Sequence, residues 1–232
     1  MQAVIMAAGL GTRLRPLTDA TPKPMLPIAG TPMLARLIAS LPAEVTEVIL
    51  VVGYLQERIR AHFGTTWGGR TVAYRTQQTL DGTGGAVHAC RDMLHGRFLV
   101  LNGDCLYDAA DLSALAHHDF ALLAMPLAAP ARVSVVEADG AGNLLGLTDP
   151  ATAPAGALVN TGAYALNERF FDAPLVALAG GKEYGLPQTL AVIAHTQHVR
   201  VLSARDWTHV GTPEDLAAAN AKFAAADAAA AV

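Results

Sequence analysis

Three basic side chains stand close together in a loop near the start of the chain. Arg13, Arg15 and Lys23 lie among glycines and four prolines in residues 6–30, directly after a short apolar run. Glycine-rich backbone can approach an anion closely, and fixed cations can neutralise charge while phosphoryl bonds change. This composition indicates a phosphate-binding loop. For any one of the three cations, the alternative of an ordinary solvated loop residue stays open.

Two common phosphate-binding loops do not fit this segment. The P-loop pattern G-x-x-x-x-G-K-[ST] is absent, and the pattern G-x-G-x-x-G meets Leu14 where its third glycine should stand. Three prolines, at 16, 22 and 24, also prevent a helix from starting promptly. The sequence therefore disfavours an NAD-dependent oxidoreductase, which is the rival class of enzyme.

Asp104 is a candidate metal ligand. It follows Asn102 and Gly103 at the end of a predicted strand over residues 97–101. A carboxylate is a hard oxygen ligand, and Mg²⁺ commonly binds one or two carboxylates together with substrate phosphates. The alternative is that Asp104 only caps a helix.

The elements that must position these residues alternate between strands and helices. Predicted strands cover residues 2–6, 46–52, 71–76 and 97–101. Three helices are predicted in this part of the chain. The first has Thr31 as N-cap and Pro32 in its first position, the second runs from Leu55 to Gly64, and the third covers residues 86–94. This alternation predicts an α/β fold with a mostly parallel, mixed sheet flanked by helices. Ligands bind at the carboxyl ends of such strands, so the basic loop and Asp104 are expected at one site.

The second half of the sequence predicts shorter strands. They cover residues 121–127, 132–137, 143–147, 158–166 and 199–202, and a helix covers 186–195. A last helix begins with Thr212 as N-cap and Pro213 in its first turn.

Composition excludes several classes of protein. The chain of 232 residues is 52% hydrophobic and 16% charged, which is typical of a folded domain. A net charge of −4 disfavours a nucleic-acid partner. No apolar run reaches the roughly 18 residues of a membrane span, and no signal-peptide pattern is visible, so we expect a cytoplasmic protein. Cys90 and Cys105 are expected to be reduced packing residues.

The opening segment also resembles a known signature. The string A-A-G-L-G-T-R-L-R-P-L-T, followed by P-K-P-M-L-P-I-A-G, is similar to that of the sugar-1-phosphate nucleotidylyltransferases. Further pieces in that family's order are Gly53-Tyr54, Gln77, Gly82-Thr83-Gly84-Gly85-Ala86, Gly103-Asp104, Asn160-Thr161-Gly162 and Val210-Gly211-Thr212-Pro213-Glu214-Asp215. The resemblance implies a Rossmann-like nucleotidyltransferase fold and the reaction of an NTP with a sugar 1-phosphate to give an NDP-sugar and pyrophosphate. We expect one domain over 1–232, with a nucleotide-binding half of about 1–105 and a sugar-binding half of about 106–232.

The resemblance also implies roles for individual residues. The implied nucleotide-binding residues are Ala7, Ala8, Gly9, Gly11, Thr12, Arg13, Gln77, Gly82 and Thr83. The implied substrate-binding residues are Lys23, Asn102, Asn160, Thr161 and Glu183. Arg13 and Lys23 would be catalytic, because Arg13 would hold the triphosphate and Lys23 would bridge the α-phosphate and the sugar phosphate. Gln77 and Gly82 would read the base.

The sequence departs from the family at the second metal position. The family usually has an aspartate where this chain has His209, after Trp207 and Thr208. Imidazole suits Mg²⁺ poorly, so three interpretations stay open. His209 ligates the metal and favours Mn²⁺ or Co²⁺, or it contacts a phosphate when protonated, or Asp104 alone holds Mg²⁺ with phosphates and water. We favour a role for His209 near the metal.

A second departure concerns the sugar. Thr148 and Asp149 stand where the family often has an acid and a lysine, so the contacts to the sugar phosphate are expected to differ. The triplet Ala7-Ala8-Gly9 is similar to the uridylyl- and cytidylyltransferase branch and favours UTP. Similarity to short uridylyltransferases points to N-acetylmuramic acid 1-phosphate as acceptor and to cell-wall metabolism.

Alternatives remain for the substrate and for the class of protein. They are a cytidylyl- or guanylyltransferase acting on another phosphorylated acceptor, and a non-catalytic sensor of nucleotide sugars. Acetyl transfer is not expected, because the 232 residues contain no β-helical domain. We expect a monomer or small homo-oligomer whose partners are small molecules, with no nucleic acid and no membrane.

Overall fold

The computed structural model describes residues 1–128, 134–148 and 150–230. The strands within these ranges are β1 (Gln2–Met6), β2 (Pro27–Ile28), β3 (Thr31–Pro32), β4 (Glu47–Val52), β5 (Thr66–Trp67), β6 (Arg70–Thr76), β7 (Arg97–Asn102), β8 (Cys105–Tyr107), β9 (Ala121–Leu127), β10 (Val135–Ala138), β11 (Leu144–Thr148), β12 (Ala157–Asn167), β13 (Val176–Ala177), β14 (Tyr184–Gly185), β15 (Arg200–Ser203) and β16 (Trp207–His209). The α-helices are α1 (Met33–Ala39), α2 (Gln56–Phe63), α3 (Gly82–His88), α4 (Ala109–Ala116), α5 (Leu186–Ile193) and α6 (Pro213–Ala230).

A ten-stranded mixed sheet forms the centre of the molecule. Strands β6, β4, β1 and β7 are neighbours in that order and pair in parallel. The antiparallel pairings join β5 to β6 at one edge, β12 to β7, β9 and β10, and β10 to β11 at the other edge. Strand β15 returns parallel to β9. The sheet therefore joins strands from the first and the second half of the chain.

Helices cover both faces of this sheet. Alternate residues of β1 point to opposite faces, so Ile5 packs in one buried cluster and Val4 in the other. The cluster around Ile5 includes residues of α1, α2, α4 and α6, and the cluster around Val4 includes residues of α3 and α5. The predicted α/β fold, with a mostly parallel, mixed sheet flanked by helices, is confirmed.

Two predicted helices have different boundaries. Thr31 is not an N-cap, because Thr31–Pro32 pairs with Pro27–Ile28 as a small hairpin and the helix begins one residue later. The helix predicted over 86–94 begins earlier, at Gly82, and ends at His88, and a separate 3-10 turn covers Arg91–Met93. In both places, the glycines and prolines at the ends of the helix interrupt the helical spacing of apolar residues from which its boundaries were predicted.

The predicted cap of α6 and the predicted burial of the two cysteines agree with the structure. Asp215 donates its backbone N–H to the Thr212 hydroxyl and its carboxylate accepts from the N–H of Thr212, so the cap of α6 is confirmed. The strand predicted over 132–137 is described only from residue 134, and Asp149 lies outside the described residues. Cys90 and Cys105 are buried free thiols, as expected. Within the described ranges, no helix is both long enough and apolar enough to cross a membrane.

Candidate active site

The basic loop after β1 folds back on itself around Gly11. Gly11 has φ 63°, and a Cβ there would lie 3.0 Å from both the Thr18 and Lys23 side chains. Thr18 donates its hydroxyl to the Gly11 carbonyl at 2.8 Å, and Leu14 is fully buried beneath the loop. A glycine at position 11 therefore allows the two ends of the loop to close on each other.

Lys23 is held inside the molecule by this loop. It begins a 3-10 turn, Lys23–Met25, and its neighbours Pro22 and Pro24 restrict the backbone there. Its side chain is only 11% exposed, and its Nζ lies 2.6 Å from Oδ2 of Asp104. An ammonium group and a carboxylate thus face each other at the carboxyl ends of β1 and β7, which are neighbours in the sheet.

Asp104 lies in the turn between β7 and β8, and a long-range strand pairing brings His209 to it. Strand β16 pairs antiparallel with β8 so that His209 is opposite Cys105, and the Val210 N–H donates to the Asp104 carbonyl at 3.0 Å. The Nε2 atom of His209 lies 3.6 Å from Oδ2 of Asp104. The indole ring of Trp207 stacks on the imidazole, with ring centres 5.9 Å apart. This pairing places the side chains of residues 104 and 209 next to each other.

The electrostatics of Asp104 favour its charged form. Burial alone would raise the pKa of this carboxyl, but the hydrogen bond and charge of His209 and the charge of Lys23 outweigh burial and hold the pKa well below its ordinary range. Burial raises the pKa of the adjacent Cys105 thiol, and the nearby Asp104 charge adds to this effect. Asp104 is therefore an ionised carboxylate beside a neutral thiol.

A cavity of about 360 Å³ opens above these residues. Ten of the predicted site residues line it: Ala7, Ala8, Gly9, Lys23, Gln77, Gly82, Thr83, Asn102, Asp104 and Glu183. They come from the ends of β1, β6 and β7, the start of α3 and the segment before β14. Most of the predicted nucleotide-binding and substrate-binding residues are thus brought together in one place.

The other predicted residues are not part of the cavity lining. Arg13 is exposed in the turn Thr12–Leu14 and, like Gly11 and Thr12, is outside the cavity lining. Thr161 is 1% exposed and donates its hydroxyl to the Leu123 carbonyl at 2.9 Å, so its side chain faces the core. Asn160 donates to the Tyr164 hydroxyl at 2.7 Å. The polar groups of residues 160 and 161 are therefore committed to contacts within β12 and its neighbours.

At the other end of the cavity, the segment between β6 and α3 is tied to β14. The Nε2 atom of Gln77 donates to Oδ1 of Asp81 at 2.7 Å and to the Gly82 carbonyl at 3.2 Å. The Tyr184 N–H donates to the Asp81 carbonyl at 2.7 Å, and the Leu186 N–H donates to the Thr83 hydroxyl at 3.0 Å.

Sequence reasoning missed Asp81, although it precedes the glycine of a quoted motif. The only signal was a carboxylate four residues after an amide in the same loop. Leu80 and Leu178, which add apolar wall to the cavity, gave no signal because isolated leucines are common on any loop.

The residues present suit a divalent cation held with help from phosphate. Among the described residues, no three histidine, cysteine, aspartate or glutamate side chains converge as a metal-binding group. Asp104 nevertheless supplies one ionised carboxylate at the cavity wall. Mg²⁺ in proteins is commonly bound by one or two carboxylates together with the phosphates of a substrate. The imidazole of His209, 3.6 Å from that carboxylate, would add a softer ligand of the kind that suits Mn²⁺ or Co²⁺.

Comparisons with known proteins extend over nearly the whole chain. The sequence model of the family described as Nucleotidyl transferase matches residues 2–226. A bifunctional protein GlmU from Methanocaldococcus jannaschii is 32% identical over 95% of this chain and 53% of its own length. A mannose-1-phosphate guanylyltransferase from Mycobacterium tuberculosis is 29% identical over 93% of this chain and 62% of its own length. The chain thus spans about half the length of the GlmU relative.

Solved structures agree on the fold. A putative glucose-1-phosphate thymidylyltransferase from Bacillus anthracis has a TM-score of 0.81 at 21% identity, covering 97% of this chain and 95% of its own. A UDP-glucose pyrophosphorylase has a TM-score of 0.84 at 18% identity, covering 96% and 97%. At such identities the likeness shows the fold alone. The family match, however, covers the sequence from β1 into α6, and the resemblance of the opening loop is confirmed by it: the chain belongs to the nucleotidyl transferase family.

Proposed function

We propose that the chain transfers a nucleotidyl group from an NTP, with UTP favoured, to a sugar 1-phosphate and releases pyrophosphate. The observation that carries the proposal is the pair of Lys23 and Asp104, 2.6 Å apart in the wall of a cavity at the carboxyl ends of parallel strands. A cation and an ionised metal ligand at that edge suit the meeting of two anionic substrates. N-acetylmuramic acid 1-phosphate is the acceptor that we favour.

In this proposal the cavity holds the nucleotide along its length. Gly9 at one wall leaves its backbone open, since nothing lies within 4 Å of the place where a Cβ would stand. Gln77 and Gly82 meet the base, and Thr83 lies beside the ribose. Arg13, exposed in the turn Thr12–Leu14, would reach the β- and γ-phosphates and the leaving pyrophosphate.

The chemical step requires charge control more than acid–base chemistry. An oxygen of the sugar phosphate attacks the α-phosphorus, the bond from that phosphorus to the bridging oxygen breaks, and pyrophosphate leaves with the electron pair. Lys23 would bridge the two phosphates and lower their repulsion. Asp104 and His209 would hold the divalent cation, which supplies charge neutralisation on the phosphates when bound. On the sugar side, Asn102 and Glu183 line the cavity directly, while Asn160 and Thr161 would contribute through the backbone that they fix.

We also propose that residues 1–232 act as one nucleotidyltransferase unit in the cytoplasm, as a monomer or small homo-oligomer. The continuous sheet supports this proposal, because β7 of the nucleotide half pairs with β12 of the sugar half. A guanylyl- or cytidylyltransferase is the second candidate. Relatives named for mannose-1-phosphate guanylyl transfer and for CMP-5'-(3-aminopropyl)phosphonate synthesis support it, at 29% and 32% identity.

The test is release of pyrophosphate with Mg²⁺ and with Mn²⁺. UTP, CTP, GTP, dTTP and ATP are each paired with muramic acid, N-acetylglucosamine, glucose, mannose and heptose 1-phosphates and with phosphocholine. We expect turnover with UTP and a sugar 1-phosphate, and loss of that turnover in Asp104→Ala. A lack of turnover with every pair and both metals, in protein that binds nucleotides, would instead support a non-catalytic sensor.

A further inference from the structure

The amide of Gln77 has only one chemically acceptable orientation. One side of it faces Oδ1 of Asp81 at 2.7 Å, and the carbonyl oxygen of Gly82 lies 3.2 Å away. Carboxylate and carbonyl oxygens are acceptors only, so the NH₂ end of the amide must point toward them. The opposite orientation would place two acceptor oxygens against each other and leave both without a proton.

This orientation leaves the side chain of Gln77 with a single free function. Both N–H groups of Nε2 are used by Asp81 and Gly82. Among the described residues, none donates a hydrogen bond to Oε1 of Gln77. Since Gln77 lines the cavity, it offers a ligand there an acceptor and no donor.

Asp81 is itself a fixed partner. Its N–H donates to the Thr79 carbonyl at 2.9 Å, and its carbonyl accepts from the Tyr184 N–H at 2.7 Å. Its carboxylate is seated against helix α3, where a Cβ at Gly85 would lie 2.3 Å from Oδ1. Glycine at position 85 therefore makes room for the carboxylate, and the backbone on both sides keeps it facing Gln77.

We propose that Asp81 is a specificity-determining residue, because it fixes Gln77 as a hydrogen-bond acceptor toward the base. The inference rests on the proposed function, in which the base of an NTP lies against Gln77. Uracil and thymine carry N3–H, and guanine carries N1–H, on the edge that would meet this acceptor. Cytosine and adenine have an unprotonated ring nitrogen at the same place, which would leave two acceptors facing each other. The cavity therefore selects bases with a ring N–H.

The experiment compares nucleotide binding by calorimetry in the presence of Mg²⁺. The probes are UTP, CTP and N3-methyl-UTP, in which a methyl group replaces the proton that Gln77 would accept. For the unaltered protein, we expect UTP to bind at least about tenfold more tightly than either other probe, because each leaves a polar group unpaired.

The central variant is Asp81→Asn. Asparagine can present its NH₂ in place of a carboxylate oxygen, so only the Gly82 carbonyl at 3.2 Å still holds the NH₂ end of Gln77, and the amide can turn its NH₂ toward cytosine in a fraction of the molecules. We expect the ratio of CTP to UTP dissociation constants to fall at least about fivefold at unchanged thermal stability. Asp92→Asn removes a carboxylate that is 72% exposed in its ion pair with Arg75, and it serves as the matched control with an unchanged ratio.

The binding measurements distinguish failure of the acceptor assignment, of the role of Asp81 and of the proposed function. Equal binding of UTP and N3-methyl-UTP by the unaltered protein overturns the acceptor assignment while nucleotide binding, and with it the proposed function, stands. A folded Asp81→Asn protein with the original ratio overturns the role of Asp81. If Asp81→Asn does not fold, Asp81→Ala and Gln77→Ala replace it, and both must lose the preference for UTP. Failure of the unaltered protein to bind any NTP overturns the proposed function itself.

Discussion

Lys23 and Asp104, 81 positions apart in the sequence, form an ion pair with Nζ and Oδ2 only 2.6 Å apart in the wall of the cavity. The two partners are 11% and 29% exposed, so water screens the pair incompletely. The loop after β1 and the turn after β7 are fixed relative to each other by this contact.

Loss of the ammonium group should abolish most activity without unfolding the protein. We expect Lys23→Ala to lower kcat for pyrophosphate release at least about 100-fold, since one fixed charge in such a site is commonly worth that much. Lys23→Arg should restore little, because a guanidinium is a broad planar fork and not a point charge. Lys222→Ala is the control, as Lys222 pairs with Asp206 on an exposed surface. More than a tenth of the original kcat in Lys23→Ala would contradict the proposed role.

The choice of metal should follow residue 209. We expect His209→Asp to lower the ratio of Mn²⁺ to Mg²⁺ affinity in the nucleotide complex at least about tenfold, because it replaces a borderline ligand by a hard one. Electron paramagnetic resonance of bound Mn²⁺ measures this without turnover. His195→Asp, an exposed histidine beyond α5, should leave the ratio unchanged. An unchanged ratio in His209→Asp would place His209 outside the metal site.

Position 82 should not tolerate any side chain. Gly82 has φ +88°, and a Cβ there would lie 2.5 Å from the Tyr184 carbonyl oxygen and 2.8 Å from its nitrogen. We expect Gly82→Ala to lower the free energy of unfolding by about 1–3 kcal/mol, from backbone strain and displacement of β14. Urea unfolding measures it. Gly140→Ala is the control, because nothing lies within 4 Å of its Cβ position; equal losses in both variants would show that the close approach to Tyr184 has no cost.

Alkaline pH should destabilise the protein through its buried thiols. Burial raises the pKa of Cys90 from its ordinary 9.0 to about 12, and burial also raises that of Cys105 well above 9.0. As the pH rises, the unfolded chain ionises these thiols first. The stability that the two protonated thiols contribute is therefore fully present below about pH 9 and is lost as the pH rises from about 9 toward 12. Urea unfolding between pH 7 and 11 measures this, and Cys90→Ala should show a shallower decline than the unaltered protein.

The same burial predicts slow thiol labelling. With both thiols buried and protonated, we expect a disulfide reagent at pH 8 to label them rapidly only after unfolding. Rapid labelling of native protein at either position would contradict the burial of that cysteine.

Arg36 should hold the last helix onto the first. Its guanidinium donates to the Ile28 carbonyl at 2.8 Å, pairs with Asp227 and lies 5.2 Å above the Phe223 ring. We expect Arg36→Ala to lower the free energy of unfolding by about 1–2 kcal/mol and to speed hydrogen exchange in α6. Arg58→Ala, on an exposed part of α2, should change neither. Unchanged exchange in α6 would show that the helix is held by its apolar contacts alone.

Several site residues could be placed from the sequence for a simple topological reason. Lys23 follows β1 and Asp104 follows β7, and adjacent parallel strands bring their carboxyl ends to one edge. His209 was assigned from the family pattern alone, because its approach to Asp104 depends on the antiparallel pairing of β8 with β16, two segments about 100 residues apart. No local pattern predicts such a pairing.

The orientation of the Thr161 side chain could not be predicted from the local sequence pattern. The pairing of β12 with β9 shifts register between Asn160 and Tyr164, and such an irregularity changes which face each side chain occupies. A residue quoted from a motif can therefore lie at the site while its side chain faces the core. The start of α3 was also mispredicted, because the glycines at 82, 84 and 85 provide no apolar side chains at helical spacing.

Gly162, in the irregular stretch of β12, contacts the residue that ends β7. A Cβ at position 162 would lie 2.1 Å from Nδ2 of Asn102, which lines the cavity. The spacing between β12 and the end of β7 is thus set at this point by main chain against an amide, and not by an exchangeable pair of apolar side chains. Any side chain at position 162 would therefore displace Asn102 from its place in the cavity wall.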